Sequence, residues 1–209
     1  PASGRAALSQ GLIAQAENAA RSVRDALQVH IEAGRDLVVI EPSDLAMFKR
    51  EYRKLLAPED VRRLSAQAFE LMEYVDRVLK REPDRSAQRH DRLTSGGGAE
   101  VAFHSHCQQR TLGLEAPTVS VLERLGYNVW TSSVECCGMA GSFGYKSDYY
   151  ELSMQVGEAL KTQLTSQDAT GRTLLASGTS CLEQIEALVR QTAVHPIEVI
   201  APQDRSTPR

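Results

Sequence analysis

The chain has 209 residues, of which 42% are hydrophobic and 24% charged, enough for one large domain or two small ones with a real core. A net charge of -3 gives no electrostatic case for binding nucleic acid or an anionic membrane surface. No apolar run approaches the roughly 20 residues of a transmembrane segment and no basic-then-apolar start resembles a secretion signal, so the expected location is the cytoplasm, or the inner face of the membrane as a peripheral protein. The first residue is Pro1 rather than Met, which points to a chain cut from a longer protein or processed from one.

Residues 9–33 read as a helix with Leu12, Ile13, Ala16, Ala20, Val23, Leu27 and Ile31 on one face, stopped by Gly34. Leu37-Val38-Val39-Ile40 is a short continuous apolar run, as expected of a strand buried on both faces. Glu41-Pro42-Ser43 turns the chain, and Ser43 or Asp44 is placed to cap a helix over 45–56. Pro58 suits the first turn of a helix running to about 80, with Val61, Leu64, Ala68, Leu71, Met72, Val75 and Leu79 inward. Residues 83–98 are polar, carry mixed charge and end in Ser95-Gly96-Gly97-Gly98, a linker or loop composition.

A second α/β series follows. Residues 101–103 read as a strand leading to Cys107, 117–125 as a helix closed by Gly126, and 127–130 as a strand leading to Cys136-Cys137-Gly138. Residues 148–164 read as a helix capped by Ser147, and 173–176 as a strand leading to Gly178-Thr179-Ser180-Cys181, which opens a helix to about 189. His195-Pro196-Ile197 begins a short terminal segment. Alternation of this kind predicts an α/β fold of parallel sheets flanked by helices.

Four cysteines are too few for a disulfide-dense secreted scaffold, and Cys136 and Cys137 are adjacent. All four lie just past the carboxyl ends of predicted strands, the edge at which ligands collect in open α/β sheets. Cys107, Cys136, Cys137 and Cys181 are therefore predicted to form one metal site. Thiolates arriving from three turns suit iron or zinc. Gly138, Gly141 and Gly144 would relax the steric limits on the Cys-Cys turn and allow close backbone approach to a bulky inorganic core. Ser177, Gly178, Thr179 and Ser180 would offer donors beside Cys181, and a helix start there would favour its thiolate. Two other readings of the thiols remain open: small buried hydrophobes, or a nucleophile at Cys107 next to His104 and His106.

A short internal repeat adds to this. Ser3-Gly4-Arg5-Ala6-Ala7, a helix, then Leu37 to Asp44 resembles Cys137-Gly138-Met139-Ala140-Gly141, a helix, then Leu174 to Cys181. The alignment sets Ala2 and Ser3 against Cys136 and Cys137, and Asp44 against Cys181, so the first copy has no thiols and lacks its opening strand.

The runs Phe103-His104-Ser105-His106-Cys107, Glu135-Cys136-Cys137-Gly138-Met139-Ala140-Gly141-Ser142-Phe143-Gly144-Tyr145 and Ser177-Gly178-Thr179-Ser180-Cys181-Leu182-Glu183-Gln184 resemble the cysteine-rich CCG domain of iron–sulfur oxidoreductases. That family includes the B subunit of heterodisulfide reductase, the C subunit of anaerobic glycerol-3-phosphate dehydrogenase and the iron–sulfur subunit of glycolate oxidase. The likeness is strongest to the C-terminal iron–sulfur region of FAD-linked D-lactate or D-2-hydroxyacid dehydrogenases. It implies two Rossmann-like half-domains in tandem: 1–82 as the end of a first, degenerate copy, 83–98 as a linker, and 99–209 as a complete second copy. It further implies a [4Fe-4S] cluster on the four cysteines with Gly138 and Ser180 beside it, zinc being the alternative. Asp44 replaces a family cysteine, and Gln184 stands where the heterodisulfide reductase type has a further one, which argues against a non-cubane cluster. The implied role is electron transfer from FAD in a separate domain or subunit to a quinone or another iron–sulfur protein, the parent enzyme oxidising a D-2-hydroxyacid of the D-lactate or glycolate type, or glycerol-3-phosphate. A structural zinc or interaction module without redox chemistry is the competing reading.

Overall fold

The computed structural model describes residues 1–81 and 93–201. It is an α/β protein with two parallel sheets, each flanked by helices. Helices α1 (Arg5–Ser9) and α2 (Ile13–Glu32) precede strand β1 (Leu37–Val39) and helix α3 (Pro42–Lys49). A 3-10 turn over Glu51–Lys54 leads to α4 (Pro58–Gln67), strand β2 (Ala68–Glu70) and α5 (Leu71–Arg81). The second series runs β3 (Glu100–His104), α6 (Cys107–Thr111), α7 (Glu115–Arg124), β4 (Asn128–Thr131), α8 (Ser147–Leu164), β5 (Thr173–Ala176), α9 (Thr179–Val189) and α10 (Pro196–Ile200).

The first sheet pairs β1 with β2 in parallel, Leu37 opposite Ala68 and Val39 opposite Glu70. The second has the order β4-β3-β5, also parallel, and Val194 adds a single parallel bridge to Leu175. Strand β3 lies in the middle and is buried from Val101 to His104, as a central parallel strand must be when helices cover both faces.

Several local expectations change. The helix predicted over 58–80 is broken by β2: Ala68 turns to φ -92°, ψ 129° and the next residues pair with β1. No Gly or Pro marks the break. The gain from completing a parallel ladder outweighs the helix preference of Gln67 to Glu70. Strand β1 is not buried on both faces: Leu37 and Val39 pack on the core while Val38 is 41% exposed. The helix predicted over 9–33 begins only at Ile13: Ser9 ends the short α1, Gly11 takes φ +74° between the two, and Leu12 and Ile13 stand outside the core that Ala16, Ala20, Val23 and Ile31 join. Helix α3 begins at Pro42, with the Glu41 side chain accepting from Ser43 N–H, so neither Ser43 nor Asp44 is its cap. Ser147 likewise starts α8 without making a capping bond.

The buried apolar residues form three clusters. One joins α2, α3 and α4 through residues such as Ala16, Ala20, Leu45, Met47 and Leu64. A second joins α8, β5 and α9 through Leu160, Leu174 and Ile185, and includes Cys137 and Cys181. The third holds Phe103, Leu122 and Leu175, together with Met72 and Leu79 of α5. Helix α5 therefore packs with the second sheet although it follows β2 directly. Each fully buried Leu or Ile in these clusters contributes about 2 kcal/mol by removal of apolar surface from water. Of the predicted linker, 83–92 lies outside the described residues. The part from Thr94 to Gly98 is tied to the second unit, Thr94 N–H donating to Ile200 O at 2.9 Å and Gly96 N–H to Leu125 O at 2.8 Å.

Candidate metal centre

All four cysteines follow the carboxyl ends of the second sheet's strands. Cys107 opens α6 just beyond the central strand, with His106 as N-cap. Cys136 and Cys137 sit in the irregular connection between β4 and α8, and Cys181 lies in the first turn of α9 after β5. A cleft of about 1140 Å³ opens here. Cys107, Cys136 and Cys137 line it from one side, and Ser3, Arg5, Glu41 and Asp44 from the other.

Cys137 and Cys181 are in contact, Sγ to Sγ 3.6 Å, and are 4% and 1% exposed. The pair shares one proton. The Cys181 thiol donates to Cys137, which brings Cys137 down to about 4 against the opposing effect of burial, with His104 adding to the lowering. Cys181 is pushed well up, first by that same hydrogen bond and then by burial. At Cys181 the helix start expected to favour a thiolate is opposed by the bond to Cys137 and by burial. Cys107 is half-buried and raised by burial and by the sulfurs of Cys136 and Cys137. Cys136 accepts from Gly138 N–H at 3.4 Å.

The histidines do not serve Cys107 as a base. His106 Nδ1 lies 3.9 Å from Cys107 Sγ but already accepts from Gln108 N–H at 3.0 Å. A raised thiol beside an engaged imidazole is a poor nucleophile. His104 is fully buried, with Nδ1 3.3 Å from Ser132 Oγ. His104 Nε2 and Ser177 Oγ are buried polar atoms without a hydrogen-bond partner. Ser180 lines the cleft with its hydroxyl 3.5 Å from His106 Nε2.

The glycines of the Cys-Cys turn act differently from the expectation. Gly138, at φ +102°, has no space for a side chain because a Cβ there would meet Ser153 O of α8 at 2.3 Å. Its missing side chain admits helix α8, and only its N–H turns to a thiol. Gly144 is filled in the same way by Ser153 Oγ and Met139 Sδ, whereas Gly141 faces the cleft.

The sequence repeat has a counterpart in space. Where Cys181 touches Cys137, Ser3 Oγ donates to Asp44 Oδ1 at 2.5 Å. Gly4 and Gly138 both take positive φ, and Gly4 lies against α2 as Gly138 lies against α8, the would-be Cβ of Gly4 at 2.9 Å from Ala16 O. Sequence reasoning missed Glu41, which reaches from the first unit to accept from Thr179 N–H at 3.0 Å and Thr179 Oγ1 at 3.1 Å. Burial opposes its ionisation, but Thr179 N–H, the His106 ring and Ser43 together hold the carboxyl below its ordinary range. Burial in turn lowers His106, with Glu41 opposing. The only sequence signal at Glu41 is its place just past a strand.

Among the described residues, no group of three or more His, Cys, Asp or Glu side chains is gathered closely enough to hold a single metal ion. The donor set still fits an iron–sulfur group in kind: four sulfurs past the strand ends of one sheet, and an amide N–H already directed at one of them.

The chain is similar to parts of several oxidoreductases. It is 24% identical over 199 residues to D-2-hydroxyglutarate dehydrogenase of Escherichia coli K12, covering 94% of this chain and 18% of that protein. It is 26% identical over 189 residues to the glycolate oxidase iron-sulfur subunit of the same organism, covering 87% of this chain and 43% of that relative. The C subunit of the anaerobic glycerol-3-phosphate dehydrogenase of that organism matches at 27% over 103 residues, 49% of this chain and 26% of that relative. The chain thus spans less than a fifth of the D-2-hydroxyglutarate dehydrogenases it matches. No family model and no solved structure matches it. These relatives bear out the resemblance that the cysteine motif carries to CCG-type iron–sulfur oxidoreductases. No helix among the described residues is long and apolar enough to cross a membrane.

Proposed function

We propose that this chain is the iron–sulfur electron-transfer part of an FAD-linked oxidoreductase that oxidises a D-2-hydroxyacid, or alternatively glycerol-3-phosphate. The carrying observation is the approach of Cys137 to Cys181 beside a cleft that Cys107 and Cys136 also line. The relatives named for D-2-hydroxyglutarate, glycolate and glycerol-3-phosphate oxidation support the reading. The units 1–82 and 99–209 are then a thiol-free and a complete copy of one repeat, joined through 83–98.

Cys107, Cys136, Cys137 and Cys181 would hold a [4Fe-4S] cluster. When bound, such a cluster supplies one-electron redox chemistry. The residues around it would do the rest. Gly138 N–H would donate to the Cys136 sulfur and Ser180 would lie beside Cys181, both favouring the more negative, reduced state. Met139, Leu160 and Ile185 exclude water behind Cys137 and Cys181. A flavin-bearing domain or subunit would deliver electrons, and a quinone or another iron–sulfur protein would accept them.

Anaerobic reconstitution followed by iron, sulfide and zinc analysis tests this. The expected result is iron and sulfide in near-equal amounts, a broad visible band that bleaches with dithionite, and loss of both in Cys136→Ser and Cys137→Ser. Stoichiometric zinc without a chromophore, or metal content unchanged in both variants, would overturn it.

A further inference from the structure

We propose that Glu41, which belongs to the thiol-free unit, is a positioning residue for the cysteine site, holding in place the two segments that deliver Cys107 and Cys181. The proposal rests on the proposed iron–sulfur reading only where it concerns a reduction potential. The placement of the thiols can be tested without metal.

The Glu41 side chain is 26% exposed and makes contacts in three directions. Oε1 accepts from its own unit, at Ser43 N–H (3.2 Å) and Ser43 Oγ (2.9 Å), which fixes its rotamer. Oε2 accepts from the N–H and hydroxyl of Thr179, the first residue of α9. That helix end has no capping bond from its own N-cap, Gly178, so the carboxylate from the other unit takes the place of a cap. Cys181 follows in the same turn.

The third contact is with His106, 4.0 Å from Nε2 to Oε1. Because Nδ1 accepts from Gln108 N–H, the neutral ring carries its proton on Nε2, the atom turned to Glu41 and to Ser180 Oγ. The ring is pressed against the backbone at Gly178, where a Cβ would stand 2.3 Å from His106 Cδ2. Glu41, His106 and the Gly178–Thr179 backbone therefore interlock. His106 caps the helix that starts at Cys107, and Thr179 starts the helix that carries Cys181.

The other side-chain bonds between the units near the cleft, Ser9 with Ser142, Gln10 with Ser142 and Lys146 with Gln10, are exposed, as are the two from Thr179 to Glu41. The Glu41 contact differs in that two donors converge on one ionised oxygen of a carboxylate already held on its own side by Ser43. Hydrogen bonds to an ionised acceptor are shorter and stronger than neutral ones. The role of the thiol-free unit follows: its own aligned pair, Ser3 and Asp44, binds no sulfur, yet its strand end supplies the carboxylate that sets the thiol geometry across the cleft.

The test compares wild type, Glu41→Ala and Glu41→Gln. In metal-free protein, mass-resolved alkylation of Glu41→Ala is expected to be faster at Cys107 and Cys181 by about tenfold, the scale on which partners of metal ligands act, with a smaller change at Cys136. Glu41→Gln keeps one acceptor oxygen for Thr179 but loses the one that accepts from Ser43 N–H, and should fall between wild type and Glu41→Ala in this assay. In reconstituted protein, Glu41→Ala should lose its cluster to a chelator about tenfold faster. Glu41→Gln should keep its cluster but show a higher midpoint potential, since removing a negative charge makes reduction easier. Unchanged alkylation at both cysteines in Glu41→Ala overturns the proposal. So does a uniform rise at all four with loss of the unfolding transition, which would mark a general fold role. If no cluster forms in any of the proteins, the electron-transfer reading fails and alkylation alone decides the positioning role.

Discussion

Replacing Gly138 by alanine separates the two functions a glycine can have in the Cys-Cys turn. At φ +102° any L-residue is strained, at a cost of about 1–2 kcal/mol. The new methyl carbon would also lie 2.3 Å from Ser153 O, 3.0 Å from Gln184 Nε2 and 3.1 Å from Gly157 N. Two of these atoms are backbone of α8 and cannot swing aside, so the helix must shift, an overpacking of about 1–3 kcal/mol. The combined cost is about 2–5 kcal/mol, a large part of the stability of an ordinary domain. Gly141→Ala is the control. Its φ is +70°, but the nearest atom to a new Cβ is Ser9 Cβ at 4.0 Å, so only the conformational cost of about 1 kcal/mol applies. Urea unfolding of the two variants, followed by far-UV circular dichroism, measures the difference. Gly138→Ala should also move Cys137, because Ser153 Oγ donates to Gly138 O at 3.0 Å and holds the turn to the same helix. If Gly138→Ala is no more destabilised than Gly141→Ala, the close approach of α8 does not set the cost, and the account of this glycine is wrong.

Glu70 should make stability depend on pH. Burial pushes its carboxyl up to about 7, with the N–H groups of Glu73 and Met72 holding it partly down. A carboxyl raised in the folded state favours the fold when protonated, so its contribution is full below the ordinary value of 4.5 and is lost as pH rises through about 7. Thermal melts should therefore show Glu70→Gln gaining on wild type by on the order of 2 kcal/mol between pH 5 and pH 8, and a constant gap would refute this. Asp76 is 6% exposed and accepts from Ser120 Oγ at 2.9 Å and Lys80 Nζ at 2.6 Å. Asp76→Ala should cost about 2 kcal/mol in chemical denaturation by leaving Ser120 unpaired across the α5–α7 contact. Lys80→Ala, at an exposed partner, should cost well under 1 kcal/mol, and an equal loss in both would sink that assignment. Leu160→Ala, at a fully buried position in the cluster around Cys137 and Cys181, should cost about 2–5 kcal/mol, read as a lower urea midpoint.

Much of this architecture is legible in the chain. Hydrophobic spacing places β3, β4, β5 and helices α7, α8 and α9 to within a few residues, because a buried central strand and amphipathic helices leave strong periodic signals, whereas the five-residue α6 is too short to leave one. The breaks at β2 and Gly11 are not legible in that way. Ala68-Phe69-Glu70 becomes a strand only because β1 is there to pair with it, a partner some thirty residues away. Glu41 reads as a turn residue until α9 is brought to it.

The sequence by itself determined that the four thiols share one edge of a parallel sheet. The positions of four thiols past strand ends, and the glycines among them, are local facts that parallel-sheet geometry turns into a common edge. Tertiary structure decided what those residues do there. It set Cys137 against Cys181, closed α8 onto Gly138, and brought the Glu41 carboxylate across the cleft to Thr179 and His106. Hydrogen bonds and steric exclusion act over a few ångströms: folding of the second unit brings Cys137 to Cys181 and Gly138 to Ser153, and packing of the two units brings Glu41 to Thr179.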